Sequence, residues 1–241
     1  MSGHSKWSTI KRQKGIADSK RSAAFSKLGR LITIAARTGG KDPAMNFRLR
    51  LAIDKARDVN MPNANIERAV AAGSGEGKGL VSKEALYEGF GPAGVAVIVE
   101  AVTDNPNRTS AEIRSLFSKA GGSLGAQNSV SWMFTLRGVI RLAADTVAPD
   151  VRESFFLAAI DAGADDVREE GDQVLILSTP DKLQALKQWA EQRSLASMSA
   201  ELEFLPTTTV AVTETDQPAL HALLEALDDH PDVTNVFSND A

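Results

Sequence analysis

The residues with the most evident chemistry are the basic side chains near the start of the sequence. Between Gly3 and Gly40 there are nine Lys and Arg residues and a single acidic one, Asp18. Ammonium and guanidinium groups at this density neutralise phosphates, so the pattern is typical of a protein that binds a polyanion. The same charges are also compatible with an ordinary solvated surface or with a surface for acidic lipid. We favour nucleic acid, because no core requires a basic tail of this kind.

Charge is divided unequally along the chain of 241 residues, whose formal net charge is −4. Residues 1–78 hold 16 Lys and Arg against 6 Asp and Glu, whereas the remainder holds 11 against 25. The composition is that of a folded globular protein, since 43% of the residues are hydrophobic and 24% are charged. The sequence therefore predicts a cationic front that binds nucleic acid and an acidic body.

Residues suited to catalysis or metal binding are scarce. The sequence has no cysteine, and none of its three histidines, His4, His221 and His230, has a partner at a metal-ligand spacing. Several acids near the C-terminus are interpreted as exposed helix and turn residues: Asp216, Glu225, Asp228, Asp229 and Asp232. We expect no enzymatic activity, no cofactor, no metal and no small-molecule substrate.

Two glycine patterns resemble nucleotide-binding motifs and fail as such. In residues 73–79, GSGEGKG, the glycine spacing is one residue short of a Walker A loop and no Ser or Thr follows the lysine, so we interpret the stretch as a linker. Gly89-x-Gly91-x-x-Gly94 matches a dinucleotide fingerprint formally, but a β-branched strand follows where a helix is required. These glycines predict a hairpin turn between two strands.

The basic segment divides into an arm and three helices. Residues 1–17 show no apolar period and are interpreted as an extended arm. Apolar spacing predicts helices over about 19–38, from an Asp42-Pro43 cap to about residue 60, and over 65–72. Together these helices form a small domain with cations on its outer faces.

The acidic segment predicts two α/β domains. The first of these is an incomplete unit. It contains strands before residue 90, over 95–102 and over 129–134, and a helix with a capping box from Thr109 to Glu112. A β-α-β-β-α-β order, typical of a ferredoxin-like domain, follows from Gly138. The remaining strand at 208–213, helix at 217–228 and strand at 233–238 cannot fold alone.

The economical solution pairs the two incomplete pieces. We predict an α+β fold with an N-terminal three-helix domain and two α/β (ferredoxin-like) domains, one of them discontinuous. The predicted boundaries are 1–78 for the arm and helices, 80–135 plus 206–241 for the discontinuous domain, and 136–205 for the inserted domain. No apolar run reaches the length of a membrane span, and the N-terminus lacks an apolar signal-peptide region, so we expect a cytoplasmic protein without a membrane partner.

Several short motifs resemble one known family. The chain opens with Gly3-His4-Ser5-Lys6-Trp7 followed by Ile10-Lys11-Arg12, which closely resembles the GHSKW…IK signature of the YebC family. Its continuation is matched by residues 17–21, 25–28, 46–55, 65–69, 87–92, 107–109 and 117–122. The resemblance implies a three-domain fold and a cytoplasmic, non-enzymatic regulator of gene expression. Bacterial members are usually described as DNA-binding transcriptional regulators, and mitochondrial relatives as translational activators.

The candidate binding residues lie in the arm and in the first predicted helix. They are His4, Lys6, Trp7, Lys11, Arg12, Lys14, Lys20, Arg21 and Lys27. The cations would neutralise phosphates, while His4 and Trp7 would stack on bases or hydrogen-bond; Trp7 could instead dock the arm on the body. No recognition helix or zinc finger is evident, so we predict a translation factor bound to ribosomal RNA or the ribosome. A DNA-binding transcriptional regulator is the alternative.

Overall fold

A computed structural model describes residues 18–75, 82–195 and 197–241, with side chains from Arg21 onward. The chain divides into two compact units. The first contains the described residues up to Phe134 together with Pro206–Ala241, and the second contains those of Thr135–Leu205. Within the described part of the chain, no helix combines the length and the apolarity needed to cross a bilayer.

Three helices open the first unit: α1 (Asp18–Gly39), α2 (Phe47–Asp58) and α3 (Asn63–Gly73). Their shared core contains Ile32, Leu49 and Ile66, one residue from the buried face of each helix. Asn46, rather than the predicted Asp42, caps α2, because its side chain accepts the backbone N–H of Leu49 at 3.0 Å. The predicted cap was wrong by one turn.

Residues from both ends of the first unit form one antiparallel sheet. Strands β1 (Lys83–Phe90), β2 (Ala96–Thr103) and β3 (Ser123–Leu124) are joined by β8 (Val233–Ser238) in the order β3-β1-β2-β8. Helices α4 (Pro106–Lys119) and α7 (Gln217–Asp229) bury apolar residues such as Phe117 and Leu224 against it. Because β8 pairs with β2, this domain is discontinuous, and the predicted α+β fold class is confirmed.

Three local predictions in this sheet domain were wrong. Helix α4 begins at Pro106 instead of Thr109, because Asn105 accepts the N–H of Arg108 at 3.2 Å and caps the helix. The strand predicted over 129–134 does not form before Phe134, and residues 208–213 form only a single bridge, between Val210 and Asp240. The glycine pattern, as predicted, forms the turn of the β1–β2 hairpin, where Ala93 and Gly94 have φ of 58° and 73°.

The buried carboxylate of Glu88 explains why no strand forms over 129–133. It accepts backbone N–H groups from Asn128, Val130 and Ser131, each at 2.8 Å. These donors would otherwise be available to a neighbouring strand. Residues Ser131–Met133 therefore form a short 3₁₀ turn.

The second unit has the predicted ferredoxin-like order. Its elements are β4 (Phe134–Ala143), α5 (Arg152–Asp161), β5 (Asp166–Glu170), β6 (Gln173–Ser178), α6 (Leu183–Gln192) and β7 (Ser197–Pro206). The strands are arranged β5-β6-β4-β7, so the two edges are β5 and β7. Arg141 and Glu203 form an ion pair buried in this sheet, with N–O distances of 2.5 and 2.7 Å.

Candidate nucleic-acid interface

Helix α1 carries the described members of the predicted binding set. His4, Lys6, Trp7, Lys11, Arg12 and Lys14 lie outside the described residues. Lys20 is placed in the first turn of α1, and Arg21 follows it with an exposed side chain. The guanidinium of Arg21, close to where α1 begins, is therefore exposed to solvent.

Lys27 lies in a different environment from Arg21. Its side chain is half-buried, and its ammonium donates a hydrogen bond to the backbone carbonyl of Asp228 at the end of α7. Lys27 is six positions after Arg21, which corresponds to a rotation of about 240° around the helix axis. The two side chains therefore lie on different sides of α1. Lys27 thus contributes to the packing of α1 on the sheet domain.

Further cations of the helical domain contact the sheet domain in the same way. Arg30 donates to the carboxylate of Asp232 at 2.8 Å and to the carbonyl of Pro231. Lys55 donates to the side-chain oxygen of Asn235 at 3.3 Å. Another such contact is the ion pair of Arg48 with Glu84. These groups stabilise the packing of the two domains. Arg30 and Lys55 are partly buried there, whereas Arg48 keeps 55% of its side chain accessible.

Asp232, the partner of Arg30, accepts hydrogen bonds from three side chains. One carboxylate oxygen accepts from Arg30, and the other accepts from Arg108 at 2.8 Å and from the hydroxyl of Thr109 at 2.7 Å. Burial alone would raise the pKa of Asp232, but the hydrogen bonds from Thr109, Arg108 and Arg30 lower that pKa to about 2. The carboxylate therefore stays charged and holds two guanidinium groups.

The environment of Asp232 corrects one prediction from the sequence. Asp232 was interpreted as an exposed turn acid, yet only 3% of it is accessible. Its main partners are 124 and 202 residues away in the chain. No local pattern could have indicated these contacts, because they form only when β8 joins the sheet.

Glu112, His230 and Asp232 bring three potential metal ligands within 4.8 Å of one another. The backbone N–H of Asp232 donates to Nδ1 of His230 at 3.1 Å, which leaves the proton of the neutral ring on Nε2, 2.9 Å from Glu112. Both oxygens of Asp232 already accept hydrogen bonds from cations. A metal ion would have to displace two guanidinium groups, so this donor set fits an ion-pair network better than a metal centre.

Other cations of the helical domain are exposed. They are Arg37, Lys41, Arg57 and Arg68, which lie at the end of α1, in the following turn, at the end of α2 and on α3. Arg57 is 3.7 Å from Asp54, and Arg68 donates to Asn65 at 3.4 Å. Exposed pairs of this kind are weak, so the guanidinium groups can exchange partners for a phosphate.

The sequence also matches known proteins along nearly its whole length. Residues 5–76 match the TACO1/YebC protein N-terminal domain, and residues 82–240 match the TACO1/YebC second and third domain. The chain belongs to the TACO1/YebC family. The resemblance inferred from the opening motif is therefore confirmed.

Two bacterial relatives in this family are each named a probable transcriptional regulatory protein. The one from Moorella thermoacetica is 47% identical over 241 residues, covering 99% of this chain and 95% of the relative. The one from Methylacidiphilum infernorum is 46% identical over 240 residues, with the same coverage. The crystal structure of a conserved hypothetical protein from Aquifex aeolicus has 40% identity and a TM-score of 0.84, covering 93% of this chain and 91% of that one.

Proposed function

We propose that this member of the TACO1/YebC family is a non-enzymatic, nucleic-acid-binding regulator that acts on DNA in transcription. The observation that carries the proposal is the separation of charge, with 16 basic against 6 acidic residues in 1–78 and 11 against 25 in the remainder. A strong positive field confined to one end attracts a polyanion to that end and repels it from the other. The names of the bacterial relatives favour transcription as the process.

Helix α3 supplies a second argument for DNA. It follows α2 after only four residues, and its exposed side carries Asn63 and Arg68, with Asn65 partly exposed. Asn and Arg are the side chains that pair in two places with adenine and guanine edges. In this proposal α3 reads bases, whereas the arm and Arg21 bind phosphates.

A translation factor bound to ribosomal RNA is the second candidate, and the distribution of the exposed cations favours it. Arg21 and Arg37 are separated by sixteen residues of α1, which is about 24 Å along the helix axis. The other exposed cations of the described helical residues lie in the turn after α1, on α2 and on α3. A scattered set of this kind suits the irregular phosphate surface of a folded RNA.

The arm should dominate affinity in either case. Changing Lys11, Arg12 and Lys14 to Ala should lower affinity for all sequences about equally, by roughly 100-fold at 0.15 M salt, and flatten the salt slope by about 2–3. Binding is measured by fluorescence anisotropy with promoter duplex, random duplex and ribosomal RNA fragments. The matched control changes Arg114, Lys119 and Lys182 to Ala, which removes the same charge from the acidic body. Equal losses in the two triple variants would defeat the proposal.

A paired measurement separates the two candidate functions. Binding to a promoter duplex is measured against an excess of random duplex, and co-sedimentation of the protein with ribosomes is measured at physiological salt. A promoter preference above about a thousandfold, the lower end for specific DNA binders, together with ribosome-free protein, supports transcription. Ribosome-bound protein without promoter preference supports translation.

A further inference from the structure

Helix α5 of the second unit has an exposed apolar surface. Leu157 is 63% accessible and Ile160 is 43% accessible, and Phe156 beside them is half-buried. These three residues fall within about 100° of arc around the helix. The opposite side is already used, since Ala159 is fully buried and the ring of Phe155 packs 5.7 Å from that of Trp189 on α6. The solvent-facing side of α5 thus carries large apolar side chains of the kind that a helix usually packs into a core.

Acidic groups surround this apolar surface. Glu153 and Asp161 of α5 are exposed, and so is Glu169 of β5, the edge strand that packs beside the helix. The segment 145–172 contains nine acidic residues and only two basic ones. Both basic residues are paired within it, Arg152 with Glu169 at 3.2 Å and Arg168 with Asp166 at 2.6 Å. From outside the segment, Arg137 and Lys182 contact Asp165, but the carboxylates still outnumber these cations, so the field near α5 is negative.

We propose that Phe156, Leu157 and Ile160, with their acidic rim, form a docking surface for a protein segment that carries apolar anchors flanked by Lys or Arg. The apolar side chains supply the driving force for association, because burying them removes hydrocarbon from water. The carboxylates supply orientation and select positive flanks. The proposal concerns the second unit alone and does not depend on the nucleic-acid function proposed above.

Other occupants fit the charges less well. Nucleic acid and anionic lipid are repelled by the same carboxylates that attract a basic segment. A symmetric dimer through α5 would place each acidic rim against its own copy, since a two-fold contact joins identical surfaces. A basic partner protein is the occupant that satisfies both the apolar and the charged parts.

The test uses the full chain and a defined probe. The probe is a sixteen-residue helical peptide with Leu at i, i+3, i+4 and i+7 and Lys at the flanks. The control peptide has the same leucines and Glu at the flanks. We expect the Lys peptide to bind at least about tenfold more tightly than the Glu peptide in roughly 50 mM salt. Raising the salt to roughly 300 mM should weaken binding of the Lys peptide, because the salt screens its attraction to the carboxylates. Absence of binding by the Lys peptide at millimolar concentration, or equal binding of the two peptides, would overturn the proposal.

Variants locate the binding on α5. Leu157→Ser with Ile160→Ser should weaken binding of the Lys peptide at least tenfold and lower the melting temperature by no more than about 5 °C, because Leu157 is 63% and Ile160 43% accessible. Met198→Ser, at a residue 52% accessible on β7, is the matched control and should leave binding unchanged. Equal effects of the α5 and Met198 variants would overturn the proposal.

Two further measurements address the competing occupants. A dimer seen by light scattering that dissociates in the α5 variant would assign the surface to a second copy. Binding to phosphatidylcholine vesicles that is lost in the same variant would assign it to lipid. Either result would overturn the proposal. If neither is seen and the Lys peptide binds selectively, the proposal is supported.

Discussion

The ion pairs of Asp232 and of Glu203 differ in how much of the cation is left in contact with water. At Asp232, in the first unit, a carboxylate only 3% accessible holds Arg30 and Arg108, whose side chains are 29% and 45% accessible. In the second unit, Arg141 and Glu203 are 2% and 6% accessible, so both charges are enclosed. The first arrangement joins the helical domain to the sheet domain through Arg30 and holds α4 through Arg108, and both cations still touch solvent. The second is a closed pair that contributes only to its own sheet.

This difference has an energetic consequence. A guanidinium that still contacts water can be hydrated if its carboxylate is lost, whereas an enclosed guanidinium cannot. Removing one partner should therefore cost more in the closed pair than at Asp232. Both should cost more than removing a pair at the surface.

The largest effect is expected from Glu203→Ala. Arg141 would remain buried without a counter-charge, and the free energy of unfolding should fall by about 3–5 kcal/mol. Urea denaturation of the full chain measures the change. Replacing both residues by apolar ones, Arg141→Met with Glu203→Leu, should recover most of the loss, because no buried charge then remains.

The matched comparison for this change is a surface pair in the same unit. Arg137 and Asp165 are 2.7 Å apart, with side chains 35% and 31% accessible, and Lys182 lies 3.3 Å from the same carboxylate. Asp165→Ala should cost less than about 1 kcal/mol. A Glu203→Ala loss no larger than the Asp165→Ala loss would show that enclosure does not decide the energy of these pairs.

Asp232→Asn is expected to have an intermediate effect. The pKa of Asp232 lies at about 2 against an ordinary value of 3.8, so the charged carboxylate contributes about 2 kcal/mol to folding. Because the folded pKa is the lower one, this contribution is present above about pH 4 and is lost as the pH falls towards about 2. Urea denaturation at several pH values should show a gap between the native protein and Asp232→Asn that closes over this range. Glu214→Gln, at an exposed position, is the control and should show no gap at any pH.

Periodicity along the sequence was sufficient for much of the fold, and contacts distant in sequence explain the errors. The apolar spacing of α1 and α2 and the β-α-β-β-α-β order from Gly138 depend on local patterns, and the structure contains them. The strand expected at 129–134 fails because of Glu88, which lies about forty residues earlier in the chain. At the candidate interface, the basic composition indicates the sign of the charge near α1. It cannot indicate that Lys27 faces α7, because that contact spans 201 residues.

The smallest effect, and the one most informative about the interface, is expected from comparing Arg21 with Lys27. Arg21 is exposed, so Arg21→Ala should leave stability within about 0.5 kcal/mol of the native value. If Arg21 contacts one phosphate, its loss should reduce the salt slope of nucleic-acid binding by about 1. Lys27→Ala removes a hydrogen bond to Asp228, so it should lower stability by about 0.5–1.5 kcal/mol and leave the slope unchanged. Both variants lose one positive charge, and a slope determined by net charge alone would therefore change equally in the two. Equal slopes would mean that the positive field of the whole front, and not the position of each cation on α1, determines binding.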